Sequence, residues 1–232
     1  MPLAPDDPRL DVQRLFDAWA DSGRAEGMEQ GHTLAAREAF DRLALRPGAS
    51  YLDVGCGNGY TVRWAAEVDP GVRATGIDLS PQMVARARDQ SADHPNTRFI
   101  HAPFPLSMLR DEAFDAIFSM EVFYYLPDLN AALREVRRLL RPGGRFVCIV
   151  DFYEENAAAH GWPEDTGVPM NLLPESMWRA AMTCAGLEVL EQTRLRGPAD
   201  DQSPWKEEQG SLMTLAWRRP EPLPPSEGPK AA

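Results

Sequence analysis

Short apolar runs alternate with amphipathic stretches through the middle of the chain. Each run is five or six residues long and is bounded by glycine, proline or polar residues, which is typical of buried strands. The predicted strands are 50–54, 72–77, 97–101, 114–119 and 145–150, followed by two late strands at 187–190 and 211–217.

Helical spacing appears between most of these strands. The clearest case is 129–140, where apolar residues stand at positions 129, 132, 133, 136, 139 and 140, the spacing of one helix face. Further helices are predicted over 61–68, after Ser80-Pro81 as cap and first residue, and over 174–185 before Gly186. Pro142-Gly143-Gly144 predicts a turn after the 129–140 helix.

Alternating strands and helices predict an α/β fold with a doubly wound, mostly parallel, seven-stranded sheet. The two late strands lack a strong helix between them and are compatible with an antiparallel hairpin. Two helices are predicted ahead of the sheet, at 9–20 and 33–45, joined by a segment whose three glycines indicate mobility. We therefore divide the chain into an N-terminal helical part (1–45), the main domain (46–219) and a disordered, proline-rich tail (220–232).

Composition narrows the class of protein. A chain of 232 residues is long enough for one well-buried domain. Its net charge of −11 disfavours a nucleic-acid substrate. It has no apolar run long enough to span a membrane and no recognisable secretory signal. The cysteines (Cys56, Cys148, Cys184) match no zinc spacing and the four histidines stand singly, so we expect no metal and a cytoplasmic location.

The strongest chemical signal is residues 53–59, DVGCGNG, where the first strand meets a helix. Glycine lets the backbone turn sharply and approach a ligand. A dinucleotide loop reads G-x-G-x-x-G, whereas here Gly59 comes one residue early and Tyr60 holds the third glycine's place. Asp53 lies two residues before the first glycine, where a carboxylate suits a cationic amino-acid group better than a pyrophosphate.

Four motifs together resemble one family. Residues 53–59 (DVGCGNG), 76–83 (GIDLSPQM), 114–119 (FDAIFS) and 140–146 (LRPGGRF) are similar, in order and spacing, to the motifs of class I S-adenosylmethionine-dependent methyltransferases. The similarity covers roughly residues 45–150 and extends to the type 11-like group that acts on small molecules. It implies the Rossmann-like class I fold, with the N-terminal helices as a lid.

The resemblance also implies a cofactor site for S-adenosylmethionine, with S-adenosylhomocysteine as product. Asp53 would meet the cofactor's amino group, Asp78 the ribose hydroxyls, and Leu79 and Met83 the adenine. Many members of the family carry an Asp after the third strand that reaches the adenine amine, and residues 101–105 of this chain contain no acid. Backbone groups or stacking by Phe104 would recognise adenine instead. The remaining expected contacts are Gly55, Cys56, Gly57, Asn58, Gly59, Ala102, Pro103, Met120 and Glu121.

The N-terminal helices would close over the cofactor in this family. Trp19, Arg24, Met28 and His32 are therefore expected to face it, with Arg24 near its carboxylate. The alternative places Arg24 on the surface and Trp19 between the two helices.

For the methyl acceptor, the resemblance points to the segments after strands four and five. Tyr125, Asp151, Tyr153 and Trp162 are the candidate substrate residues, and their acids and aromatics suit an amine or another cationic group. The candidate catalytic residues are Tyr124, Tyr125 and, as a general base, His160.

Three other functions remain open at this point. The chain could be an NAD-dependent oxidoreductase, although the glycine spacing disfavours it. It could bind S-adenosylmethionine without catalysis, or transfer an aminopropyl group from the decarboxylated cofactor. A small-molecule acceptor is favoured over protein or nucleic acid on charge and size.

Overall fold

The computed structural model describes residues 4, 6–105, 108–199 and 204–220. Its helices are α1 (Arg9–Asp21), α2 (Arg24–Asp41), α3 (Tyr60–Val68), α4 (Pro81–Gln90), α5 (Leu129–Leu139), α6 (Trp162–Thr166) and α7 (Glu175–Cys184). Its strands are β1 (Ser50–Val54), β2 (Arg73–Asp78), β3 (Thr97–His101), β4 (Phe114–Met120), β5 (Leu140–Val150), β6 (Glu188–Leu195) and β7 (Ser211–Trp217). Of the predicted tail, 221–232 lies outside the described residues.

The strands form one seven-stranded sheet in the order β3-β2-β1-β4-β5-β7-β6. The first five strands pair in parallel, while β7 runs antiparallel to both β5 and β6. The α/β fold and the closing hairpin are therefore confirmed. The chain leaves β1 toward β2 on one side and returns to β4 on the other, so the strand order reverses beside β1. Ligands in open α/β sheets bind at this position.

The sheet separates two hydrophobic cores. Alternate residues of a strand point to opposite faces, and in β1 Leu52 packs into one core while Tyr51 packs into the other. The apolar face of α5 covers the first of these cores, with Ala132, Leu133 and Val136 completely buried. Helices on both faces explain why the central strands consist of nearly continuous apolar residues.

The segment expected to be a mobile connection is helical, which corrects the prediction for residues 21–32. Helix α2 already begins at Arg24, and the break from α1 is confined to Ser22 and Gly23. Gly23 adopts the left-handed conformation, with φ of 76°. A glycine inside a helix costs about 1 kcal/mol relative to alanine. The buried alanines Ala25 and Ala36 anchor α2 and offset that cost.

The turn expected at Pro142-Gly143-Gly144 lies within β5, which is a second correction. Leu140 of β5 pairs with Phe114 of β4, and Arg145 pairs with Ala116. The residues of β5 between these two pairs therefore form a bulge. The Gly143 N–H donates to the Arg218 carbonyl (2.7 Å), and the Arg218 N–H donates to the Gly144 carbonyl (3.0 Å). Because the backbone groups of the glycines find partners beyond β7, the segment remains part of the sheet.

The other boundaries are close to the prediction. The Ser80 side chain caps α4 by accepting the Met83 N–H, as the sequence indicated. Strand β6 extends to Leu195, well beyond the predicted end at 190. The sequence did not indicate residues 191–194 as strand because they are polar, which an edge strand tolerates. Within the described residues, no helix combines the length and apolarity that crossing a membrane requires.

Candidate cofactor-binding site

A cavity lies where β1, β2 and β4 end, beneath α1 and α2. Because parallel strands end at the same edge, the motifs that follow them meet here although they are far apart in sequence. The expected residues that line the cavity are Met28, His32, Asp53, Gly55, Cys56, Gly57, Asn58, Asp78, Leu79, Met83, Ala102, Pro103, Phe104, Met120, Glu121 and Tyr125.

Asp78 holds the glycine loop in place from the end of β2. Its Oδ2 accepts the Gly57 N–H and its Oδ1 accepts the Ser80 N–H, each at 2.8 Å. Burial raises the pKa of this carboxyl to about 6, against the opposing effect of the two backbone donors. Each carboxylate oxygen can accept a second hydrogen bond, so Asp78 retains the capacity to bind a diol.

Asp53 lies at the end of β1 and is only 3% exposed. The Thr61 hydroxyl, from the first turn of α3, donates to its Oδ2. Burial raises the pKa of Asp53 to about 7, and the neighbouring Asp78 charge acts in the same direction. A cationic group entering the cavity would favour the ionised form of this acid.

The glycine loop fits closely against the segment that follows β4. A Cβ atom on Gly55 would lie 2.1 Å from Cγ2 of Val122, and the φ of Gly55 is 76°. Both facts require glycine at this position. Gly59 has a different role, because its Cβ would collide with the Phe99 ring (2.8 Å). It allows close packing of α3 against β3 and does not line the cavity.

The end of the cavity nearest β3 is mostly apolar. Leu79, Met83, Ala102, Pro103 and Phe104 surround it. The Ala102 N–H is already used by the Asp78 carbonyl (3.0 Å). This arrangement matches a flat, apolar ring such as adenine, held by packing where the family's acid is absent.

The opposite end, beyond β4, is acidic. Glu121 adopts a left-handed conformation with φ of 60°. Its Oε1 accepts the Asp151 N–H (2.5 Å) and its Oε2 accepts the Tyr124 hydroxyl (2.8 Å). Burial, and then the charge of Asp151, raise the pKa of Glu121 well above its usual range.

His32 reaches this acidic end from α2. Its Nε2 lies 4.0 Å from Oδ2 of Asp151. Burial, with a smaller contribution from the charge of Lys206, lowers the pKa of His32 to about 4. The imidazole is therefore neutral at physiological pH.

Two expected lid residues do not line the cavity. Trp19 packs edge-on against Phe16, with ring centroids 5.1 Å apart. The Arg24 guanidinium lies 4.1 Å above the Trp19 ring. This pair joins α1 to α2, as the alternative interpretation described, although the charge of Arg24 still acts on Tyr125 in the cavity.

Five of the expected substrate and catalytic residues also lie outside the cavity lining: Tyr124, Asp151, Tyr153, His160 and Trp162. Asp151 is behind His32, and the Tyr153 hydroxyl donates to the backbone carbonyls of Gln209 and Gly210, both at 3.0 Å. Trp162 stacks on Phe152 (6.2 Å between centroids). His160 is exposed and contacts the Glu154 carbonyl (2.9 Å). After β5 the fold turns Tyr153 and Trp162 toward the 204–210 region, where they contact Gln209, Gly210 and Trp205.

Several lining residues escaped the sequence analysis. They are Arg9, Val12, Phe16, Ala25, Glu29, Val54, Tyr60, Ile77, Phe118, Val122 and Leu126. Tyr60 had a signal, since it holds the third glycine's place in the loop. Glu29 had none, because its hydrogen bond from the Asn58 side chain (2.6 Å) depends on how the lid docks.

Comparison with known proteins gives consistent results. Residues 52–148 match the family model described as a methyltransferase domain. One chain of the complex between the Haloferax volcanii Trm112 methyltransferase activator and a methyltransferase is 34% identical, with a TM-score of 0.81 over 88% of this chain and 97% of that chain. Cycloartenol-C-24-methyltransferase 1 of Oryza sativa subsp. japonica is 31% identical over 177 residues, 71% of this chain and 50% of that protein.

A solved structure of more distant sequence shares the fold. The Burkholderia thailandensis 1,6-didemethyltoxoflavin-N1-methyltransferase, with bound 1,6-didemethyltoxoflavin and S-adenosylhomocysteine, is 22% identical. It aligns over 94% of this chain and 92% of its own, with a TM-score of 0.71. The chain spans about half the length of the curated relatives it matches.

The fold, the loop geometry and these similarities agree on one family and on its cofactor. The carboxyls of Asp53 and Asp78 flank the glycine loop at adjacent strand ends, which suits the amino group and the ribose of S-adenosylmethionine. The chain belongs to the class I S-adenosylmethionine-dependent methyltransferase family.

Proposed function

We propose that this chain transfers the methyl group of S-adenosylmethionine to a small-molecule acceptor by in-line displacement. The observation that carries the proposal is the cavity itself, with Asp53 and Asp78 on either side of the glycine loop and a lid of two helices above it. The names of the similar proteins, which include a sterol and a toxoflavin methyltransferase, support a small acceptor.

The residues of the chain bind and orient the reactants in this proposal. When bound, S-adenosylmethionine supplies a methyl group already activated by its sulfonium. Asp78 accepts the ribose hydroxyls, while Asp53 accepts the amino group. The apolar lid residues Val12 and Phe16 exclude water from the cavity. Alignment of the two reactants then provides most of the rate enhancement.

The acceptor would bind at the acidic end of the cavity. Tyr125, Glu121 and His32 line that end, and Tyr125 packs on Tyr124 with ring centroids 4.4 Å apart. Since the roof is formed by helices of the same chain, an acceptor has to fit beneath α1 and α2. That geometry favours a small molecule over a folded protein or a duplex. Glu121 and Asp151 favour an acceptor that carries positive charge or a transferable proton.

Cofactor binding is the first test. We expect S-adenosylmethionine and S-adenosylhomocysteine to bind by calorimetry, and NAD not to bind. Asp78→Asn should weaken both by about tenfold or more, because hydrogen bonds to a charged group are worth roughly 1.5–3 kcal/mol. Asp89 is exposed on α4, so Asp89→Asn serves as a matched control. It should leave the affinity for both cofactor forms unchanged. Binding of NAD alone would support the oxidoreductase instead.

Methyl transfer is the second test. Protein, cofactor with a radiolabelled methyl group and a cell extract are incubated together, with the extract separated beforehand by ultrafiltration into small molecules and macromolecules. We expect label to appear in the small-molecule fraction and to be lost with Asp78→Asn. Label only in the macromolecular fraction would contradict the small acceptor. Tight cofactor binding with no transfer in either fraction would favour a non-catalytic binding protein.

A second proposal concerns a protein partner. The 34% identity over 97% of a chain from the Haloferax volcanii complex supports an activator of the Trm112 type for this chain as well. We expect co-expression with such a protein to yield a co-purifying complex with higher solubility and melting temperature. Separate elution of the two proteins on size exclusion would argue against it.

A further inference from the structure

We infer that Glu121 is the residue by which this site distinguishes the positively charged cofactor from its neutral product. The inference rests on the proposed function, since it concerns the same cavity and the same cofactor. It goes further by assigning the discrimination between substrate and product cofactor to one side chain.

Glu121 lies beside the part of the loop that would hold the sulfur-bearing chain of the cofactor. The next residue, Val122, packs against Gly55 so closely that a Cβ there would lie 2.1 Å from it. The preceding residue, Met120, accepts a contact from the Tyr60 hydroxyl at the start of α3 (3.7 Å). The segment 120–122 therefore borders the glycine loop along its length.

Three other acids line the cavity, and none of them makes this distinction. Glu29 is already paired, with the Asn58 amide (2.6 Å) and the Arg63 guanidinium (3.8 Å). Asp53 and Asp78 face parts of the cofactor that do not change. The cofactor and its product share the amino group expected at Asp53 and the ribose expected at Asp78. They differ only at sulfur, which is a cationic sulfonium before transfer and a neutral thioether afterwards. Only a charge close to the sulfur responds to that difference, and Glu121 is the acid on the β4 side of the loop.

The Glu121 carboxyl is held in position by neutral hydrogen-bond donors, and the charge of Lys206 lowers its pKa less than burial and Asp151 raise it. Both oxygens accept hydrogen bonds, from the Asp151 N–H and the Tyr124 hydroxyl. Among the residues that the structure describes, it forms no ion pair. A fixed acid with no ion-pair partner is suited to a cationic ligand.

A second buried acid behind it strengthens the case. Asp151 is 1% exposed, and its Oδ1 has no hydrogen-bond partner within the described part of the chain. Burial raises its pKa to about 6. Because burial raises the pKa of both acids, and the charge of Asp151 raises that of Glu121 further, we expect the pair to hold a proton near neutral pH when no cation is bound. Arrival of the sulfonium would release that proton, whereas the thioether would leave it bound.

Other titratable groups surround Glu121 and have to be considered in any pH experiment. They are His32, Glu29, Asp53, Tyr60, Tyr124, Tyr125, Cys148, Asp151 and Lys206. S-adenosylmethionine and S-adenosylhomocysteine both carry the amino group and the ribose that Asp53 and Asp78 would bind. Any proton lost from these two acids would therefore be lost with either ligand. The difference between the two ligands therefore isolates Glu121 and Asp151.

The test compares three ligands by calorimetry: S-adenosylmethionine, S-adenosylhomocysteine and sinefungin, in which a carbon that carries an amine replaces the methylated sulfur. In Glu121→Gln we expect the preference for the two cationic ligands over S-adenosylhomocysteine to fall by about tenfold. Asp89→Asn removes an exposed carboxyl from α4 and leaves the cavity unchanged, so the preference should stay within about twofold of wild type. An unchanged preference in a folded Glu121→Gln protein overturns the inference.

A measurement on the wild-type protein covers the case in which Glu121→Gln does not fold. Calorimetry in two buffers of different ionisation enthalpy counts the protons released on binding. We expect S-adenosylmethionine to release more protons than S-adenosylhomocysteine near neutral pH, and equal release overturns the inference. If both ligands bind and release protons equally, only the role of Glu121 fails. If neither binds, the proposed function fails with it.

Discussion

At the residue scale, Asp53 and Asp78 are deeply buried and form no ion pair with any residue that the structure describes. They are 3% and 8% exposed, and within the described residues their partners are a hydroxyl and backbone N–H groups. Desolvation disfavours the charged form of such a group. The ligand-free protein therefore holds protons here that the unfolded chain has already lost, and this links its stability to pH.

The first prediction follows from the raised pKa of Asp53. The folded carboxyl titrates near 7 and the unfolded one near 3.8. Its contribution to stability is full below the unfolded value and is lost as pH rises to the folded value. The free energy of unfolding of wild type relative to Asp53→Asn should therefore fall by about 1.4 kcal/mol per pH unit between pH 4 and 7. Urea unfolding at several pH values measures this, and a flat difference would contradict it.

Residues such as Asp53 and Asp78 were predictable because their signal is local. In the motifs at 53–59 and 76–83, the end of a strand, the turn and the start of the next helix lie within a few positions of each other. One short stretch of sequence therefore predicts where each acid lies. Val12 and Phe16 were not predictable as site residues, because they reach the cavity only after α1 has docked. The same holds for Tyr153, whose hydroxyl is drawn away by two carbonyls contributed by a distant segment.

At the element scale, the lid is fastened to the rest of the molecule at several points. The Ser80 hydroxyl donates to Asp17 of α1. From α4, the Arg86 guanidinium donates to the Ala20 carbonyl (2.8 Å) and to Glu26 of α2 (2.7 Å). These contacts order α1 and α2, whose connection has a sequence typical of a loop. Tertiary docking therefore outweighs local preference in this segment, which is why the sequence analysis misassigned it.

The second prediction tests this helical connection. Gly27 is inside α2 and a Cβ there meets nothing within 4 Å. Gly27→Ala should therefore stabilise the protein by about 0.5–1 kcal/mol. Gly57 has equally open surroundings but a φ of 52°, so Gly57→Ala should destabilise it by about 1–2 kcal/mol. Urea unfolding of both variants provides the comparison, and destabilisation by Gly27→Ala would mean that the segment is not helical.

At the scale of the whole molecule, the proposed cofactor site is a cavity between the carboxyl edge of the sheet and the N-terminal helices. The walls come from the carboxyl ends of β1, β2 and β4, and the roof comes from α1 and α2. The β6–β7 hairpin forms the far side of the sheet and contributes nothing to the lining. Ligand binding should therefore stabilise the two sides of the molecule unequally.

The third prediction concerns that inequality. S-adenosylhomocysteine at about a hundred times its dissociation constant should add roughly 2.7 kcal/mol to the free energy of unfolding. Hydrogen exchange read by mass spectrometry should slow most in residues 9–41, through suppressed local opening of the lid. Peptides from β6 serve as the internal control with little change. Uniform slowing across the chain would contradict a separately opening lid.

The insertion of β7 between β5 and β6 has a consequence for how the polypeptide is made. Val147 and Ile149 of β5 are fully buried in the finished sheet, and their strand pairs with β4 on one side and β7 on the other. During synthesis, the second side stays open until Ser211–Trp217 has left the ribosome. An apolar strand with an open edge is a template for aggregation. Nascent chains halted between β6 and β7 should therefore depend on chaperones far more than the completed protein does.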